Sequence, residues 1–156
     1  MEERFSAFTL LIAKIQRQIR RIKTEEMAEY DLKSPHVSCL YHLYKVDSLT
    51  AAELCEACDE DKGAISRSLE QLEARGYITC DAPSGKRYKA HLRLTEAGRA
   101  VAAHTVERID SVLDVVGRDL SDEKRTALYE CLGIVSNDLE EICRGYAKPG
   151  RGGKGK

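Results

Sequence analysis

Apolar residues return every three or four positions at both ends of the chain. Near the N-terminus, Phe5, Phe8, Ile12, Ile15, Ile19 and Ile22 step by 3, 4, 3, 4 and 3, the spacing of a helix that buries a narrow seam. Leu128, Leu132, Val135, Leu139 and Ile142 form a second such seam near the other end. Neither helix carries enough apolar surface for a core of its own. Each packs either against the middle of the same chain or across a two-fold axis against a second copy. Seams at both ends of a short chain favour the second arrangement, a shared bundle with Phe8, Ile12, Ile19, Leu132, Val135, Leu139 and Ile142 at a dimer interface.

Between the seams the punctuation is dense. Ser34 followed by Pro35 reads as an N-cap with proline at the first helical position. It predicts a helix to about Tyr44 with Val37, Leu40, Leu43 and Tyr44 inward. Thr50 to Glu53 fits a capping box and opens a short helix through Cys58. Asp61 caps the next helix, which runs to Arg75 and stops at Gly76. The period then changes to two. Tyr77–Cys80 and residues 88–94 read as strands around the turn Pro83-Ser84-Gly85. Thr95 caps a long helix to about Val116, and Ser121 caps the last, with Asp122 and Glu123 suited to its positive end. The Gly/Lys-rich tail is expected to be disordered.

A short helix, a tight turn, a second helix and a basic hairpin make a winged helix-turn-helix. The expected fold is mainly α, with the terminal helices interlocked as a dimerisation bundle. The expected division is an N-terminal dimerisation helix at 1–33, a DNA-binding domain at 34–94, C-terminal dimerisation helices at 95–145 and a basic tail at 146–156.

The second helix of the motif has an unusual start. In "DKGAISR", residues 61–67, only Ile65 suits a core. A helix enters the DNA major groove only if its leading face is slim, and Gly63 and Ala64 allow the backbone close. Lys62, Ser66 and Arg67 offer donors to phosphates and base edges, and the N-terminal residues of such a helix make the base contacts. In the hairpin Lys86, Arg87, Tyr88 and Lys89 cluster at a turn that needs Gly85 but not three bases. A wing laid along the DNA backbone, with Arg87 in the minor groove, explains them.

Net charge is −1 and decides nothing, but its distribution does. Residues 1–24 carry six bases and two acids, residues 25–60 two bases and nine acids, and residues 77–93 four bases and one acid. Bases gathered in a few places grip phosphates even on a near-neutral protein. The apolar run Phe8 to Ala13 is too short to span a bilayer, so no membrane partner is expected. Glu2 and Glu3 stand where a secretory signal would carry positive charge. The expectation is therefore a cytoplasmic protein whose six cysteines are thiols. There is no Gly-rich phosphate loop, no nucleophile elbow and no HExxH, so an enzyme and a cofactor are not expected.

The chain resembles the MarR-type winged-helix transcriptional regulators. The resemblance rests on "LTAAELCEACDEDKGAISRSLEQLEARGYI" and, after the wing, "RLTEAGR", with flanking helices that extend it over about residues 5–144. It implies a homodimeric regulator of double-stranded DNA, most often a repressor relieved by a small ligand, reading a pseudo-palindrome. Thr50 joins the DNA-contacting set. The family's wing usually carries Asp-x-Arg, whereas Lys86 stands here in the place of the Asp. The family's effector pocket, where the first, second and fifth helices meet the winged domain, maps to Ile15, His36, Cys39, Leu40 and His104. The family's peroxide-sensing branch has a cysteine in the first helix, and residues 5–29 contain none.

Two other functions fit parts of the chain. Cys55 and Cys58 on the short helix suggest a redox- or metal-responsive thiol regulator, but no second CxxC or His pair completes a zinc set, and no metal is expected. A helical protein-interaction adaptor without DNA binding explains the two end seams but not the capped turn and basic hairpin between them.

Overall fold

The computed structural model describes residues 2–81 and 89–146; of residues 2–5 it describes the backbone. By packing, the chain divides into Met1–Val112 and Leu113–Lys156. This boundary differs from the functional division drawn above, because the first helix and most of the fifth belong to one compact unit with the winged motif.

In the first unit, helix α1 (Glu2–Glu26) is followed by a short 3-10 turn (Ala28–Tyr30) and α2 (Ser34–Lys45). Strand β1 (Leu49–Thr50), α3 (Ala51–Cys58), α4 (Lys62–Ala74), β2 (Ile78–Cys80), β3 (His91–Leu94) and α5 (Glu96–Val115) complete the order. β3 lies between β1 and β2, antiparallel to both, pairing Leu49 with Leu92 and Ile78 with Leu94. β1 is a two-residue strand that sequence periodicity does not reveal. α2 begins at Ser34 itself, so the cap is Lys33, one residue earlier than expected, and its N–H donates to His36 Nδ1 at 3.0 Å.

α2 is the centre of the core. Val37, Leu40 and Leu43 are buried against Leu54 of α3 and Ile65 and Leu72 of α4. Met27, Leu32, Ile78, Leu92 and Ala102 close it. The motif Leu-Thr-x-x-Gly has a structural reason. Thr95 Oγ1 donates to the Gly76 carbonyl at 2.6 Å and accepts from Gly98 N–H at 3.0 Å. A Cβ on Gly98 would stand 1.7 Å from the Tyr77 carbonyl oxygen, so the first turn of α5 packs directly on the backbone that leaves α4.

The second unit holds α6 (Asp122–Tyr146), 25 residues long. Gly117, at φ 71°, makes the turn before it, and Ser121 Oγ accepts from Lys124 N–H at 3.4 Å as the expected cap. No residue of α6 is buried. Leu128, Leu132, Leu139 and Ile142 are exposed, as are Phe8, Ile12, Ile15 and Ile19 on α1. Among the described residues no helix is long and apolar enough to cross a membrane.

Candidate nucleic-acid interface

Both helices of the turn are fixed at their N-termini by side-chain caps. For α3, Thr50 N–H donates to Glu53 Oε2 at 2.7 Å, and Glu53 N–H donates to Thr50 Oγ1 at 3.3 Å. The Thr50 hydroxyl also donates to Glu53 Oε2 at 2.8 Å, so the cap already occupies the group expected to meet DNA. For α4, Asp61 Oδ1 accepts from Ala64 N–H at 2.9 Å. That bond holds the Asp61 carboxyl below the usual carboxylate range, with help from the Gly63 N–H and the Arg67 charge. Asp59, at φ 51°, makes the reversal between the helices.

The faces of α4 separate cleanly. Ile65, Ser68, Leu69 and Leu72 are buried, whereas Lys62, Ser66 and Arg67 are exposed and Gly63 and Ala64 half-exposed. The far end closes with a Schellman pattern: Tyr77 N–H donates to Leu72 O and Gly76 N–H to Glu73 O, both at 2.9 Å, with Gly76 at φ 71°. Arg75 then ties this end to the 3-10 turn, donating to Tyr30 O and to Asp31 Oδ2 at 2.9 Å. One detail was not legible in the sequence. A Cβ on Gly63 would lie 3.0 Å from Asp61 Oδ1 and 3.3 Å from an Arg67 guanidinium nitrogen. Arg67 therefore folds back over Gly63 toward the cap in the free chain.

At the neck of the hairpin, Asp81 N–H donates to His91 O at 3.0 Å, and Arg93 pairs with Asp81 at 3.3 Å. Lys89 is exposed. Lys86, Arg87 and Tyr88 lie outside the described residues, as does the tail beyond Tyr146.

The five residues expected around an effector are not brought to one opening. Cys39 and Leu40 are fully enclosed and His36 is buried, while Ile15 is exposed on α1. His104 pairs with Glu29 at 3.1 Å and meets the Tyr30 ring edge-on. Packing of α2 into the core leaves these side chains no surface to offer a ligand. A different opening exists beside α4: a cleft of about 240 Å³ lined by Ala51, Cys55, Ile65, Leu69, Ile78 and Leu92, among others. Its walls come from two helices and two strands, so no local sequence signal marks it. Among the described residues no group of three or more His, Cys, Asp or Glu side chains is placed to hold a metal ion.

A capped turn that presents a slim basic helix face, backed by a three-stranded sheet with a hairpin, defines a winged-helix DNA-binding protein. Comparison agrees with this geometry: the family model for the winged helix DNA-binding domain matches residues 36–113. The chain belongs to that family. It is 26% identical over 138 residues to an uncharacterized HTH-type transcriptional regulator of Bacillus cereus, covering 87% of this chain and 91% of that one. Its fold is similar to that of NMB1585, a MarR family regulator from Neisseria meningitidis, at a TM-score of 0.71 and 23% identity, over 92% and 96% of the two chains. It is equally similar, at 0.71 and 20% identity over 85% and 96%, to a MarR mutant from E. coli complexed with operator DNA. The fold is thus the MarR type of winged-helix transcriptional regulator, not that of an enzyme.

Proposed function

We propose that the protein is a cytoplasmic homodimeric repressor that reads a pseudo-palindromic double-stranded DNA site and is relieved by a small ligand. The observation that carries this reading is the N-terminus of α4, where the Asp61 cap fixes a slim, exposed face of Lys62, Gly63, Ala64, Ser66 and Arg67. Arg67 alone in this stretch is long enough for a bidentate base contact, and it must first swing off Gly63. Lys62 and Ser66 hold phosphates, and the basic stretch from Lys86 to Lys89 adds affinity with little sequence choice. Dimerisation is supported by the exposed apolar faces of α1 and α6, which make 1–33 and 95–145 the dimerising parts and 34–94 the reader. Relief by a ligand is supported by the cleft beside α4, because an occupant would press on Ile65 and Leu69, which seat that helix.

The test begins by selecting duplexes from a random library. Half-sites about 10 bp apart centre to centre are expected. Arg67→Ala should cost about 1–3 kcal/mol on the selected site and less on a scrambled duplex. Equal losses on both would move Arg67 to the phosphates. Absence of salt-dependent binding to any duplex would overturn the reading.

A further inference from the structure

Three thiols meet where α2 packs on α3. Cys39 is fully buried in the core, and Cys55 and Cys58 lie half-buried against it. The Cys39 and Cys58 side chains are hydrogen-bonded to each other. Lys23 of α1 reaches the same junction, its Nζ donating at 2.9 Å to Ser38 Oγ, beside Cys39. The bond from Cys39 holds the Cys58 thiol below its ordinary value, and the Lys23 charge adds to this against burial and the Glu60 charge. The same bond, with burial, pushes Cys39 up. A part-exposed sulfur leaning toward thiolate, beside a buried protonated one, has the placement of an attacking and a resolving thiol.

We propose that Cys58 is an oxidation site for hydroperoxides and that Cys39 resolves it as a disulfide joining α2 to the end of α3, weakening the hold on DNA. The Cys58 thiolate attacks one oxygen of hydrogen peroxide. An S–O bond forms, the O–O bond breaks, and the leaving hydroxide takes a proton from solvent to become water. Sulfur gives up two electrons and the peroxide accepts them. The Cys39 thiol then loses its proton, its sulfur attacks Cys58, the S–S bond forms and the S–O bond breaks, releasing a second water. The net change is two thiols and one peroxide to one disulfide and two waters.

The consequence follows from position. Cys58 is the last residue of α3, Asp59 makes the reversal, and Asp61 caps α4. Closing hydrogen-bonded sulfurs to the roughly 2.05 Å of a disulfide draws this end of α3 toward α2. α4 is held to α2 separately, through the hydrogen bond between His36 and Gln71. The two helices of the turn therefore shift against each other at the cap that positions Arg67.

The effect on DNA rests on the function proposed above, so the experiment has two readouts on the full chain treated with hydrogen peroxide. Peptide mapping should show Cys39 joined to Cys58, reversed by a thiol reductant, and duplex affinity should fall on the order of tenfold. Cys39→Ser should stop at a sulfenic acid on Cys58 that a sulfenic-specific probe labels. Cys58→Ser, which leaves the buried Cys39 in place, should keep its affinity under peroxide, and Cys55→Ser should behave as the parent. A Cys55–Cys58 bond, cross-linking through Cys131 or Cys143, or an unmodified Cys58 would overturn the assignment. A Cys39–Cys58 bond with undiminished affinity would overturn its regulatory part. If the reduced protein binds no duplex at all, the DNA reading fails while the peptide map still decides the thiol pair.

Discussion

Leu40 and Leu139 sit on helices with similar apolar spacing. Leu40 is fully enclosed, whereas Leu139 remains 49% exposed in the single chain. The difference lies in the neighbours. α2 is met by α1, α3, α4 and β3, which between them cover it, while α6 buries none of its residues. Periodicity announces that a face is to be covered, and packing alone reveals whether the same chain covers it. The exposed seams on α1 and α6 each repeat over several turns, far more apolar surface than a helix bathed in water keeps without a partner. That asymmetry is the reason for assigning them to a second copy.

The comparison breaks most sharply with a pair of substitutions. Leu40→Ala should cost about 2–5 kcal/mol by leaving a cavity in an enclosed core, and the loss should be the same at every protein concentration. Leu139→Glu should act through association, splitting the dimer in sedimentation and removing the concentration dependence of unfolding. A parent chain that sediments as a monomer at micromolar concentration would leave the α6 seam without its proposed partner.

The enclosed side can be sharpened at Gly98. A methyl group there meets the Tyr77 carbonyl, a backbone atom that cannot rotate away. Gly98→Ala should therefore cost at least about 3 kcal/mol, the upper end of overpacking, in chemical denaturation. An effect below about 1 kcal/mol would mean that α5 can lift off the backbone freely.

Such positions also show what the sequence makes legible. The Asp61 and Thr50 caps, the stop at Gly76 and the Thr95 cap depend on residues within four positions of one another, so chemistry and spacing reveal them together. The core of α2 follows from helical period alone. Strand β1 was missed because two residues carry no alternation. The cleft was missed because its walls come from four elements far apart in sequence. The thiols show the same limit: Cys55 and Cys58 stand out by their spacing, yet the structure bonds Cys58 to Cys39, 19 residues away in the chain. Arg67 was recognisable as a base reader, but its folding back over Gly63 depends on side-chain conformation.

A smaller effect should appear in the pH dependence of the same core. His36 is buried, its Nδ1 accepts the Lys33 N–H, and burial lowers its pKa, with the Arg75 and Lys33 charges adding. The folded form thus resists a proton that the unfolded chain accepts near about pH 6.5. Below that value the unfolded state binds more protons, so stability falls as pH falls, by no more than about 1.4 kcal/mol per pH unit for one group. His42, also lowered by burial, acts in the same direction. Denaturation midpoints compared between about pH 8 and pH 5 should decline less steeply for His36→Asn than for the parent. Parallel profiles would show that His36 takes up its proton without disturbing the fold.

The smallest effect separates two duties of Asp61. Its oxygen caps α4, and its charge stands beside Arg67 where a phosphate would come. Asp61→Ala removes both and should lower stability by about 1 kcal/mol, the usual worth of an N-cap. Asp61→Asn keeps an acceptor for Ala64 N–H and loses only the charge. Because Asn and Asp cap about equally well, its stability should match the parent within about 0.5 kcal/mol. It should bind every duplex somewhat more tightly at low salt, with the gain fading as salt rises, since a repelling charge has gone. If Asp61→Asn loses stability as Asp61→Ala does, the carboxylate charge rather than the acceptor holds the helix start. If it gains no affinity on any duplex, the face of α4 that carries Arg67 lies away from the phosphates.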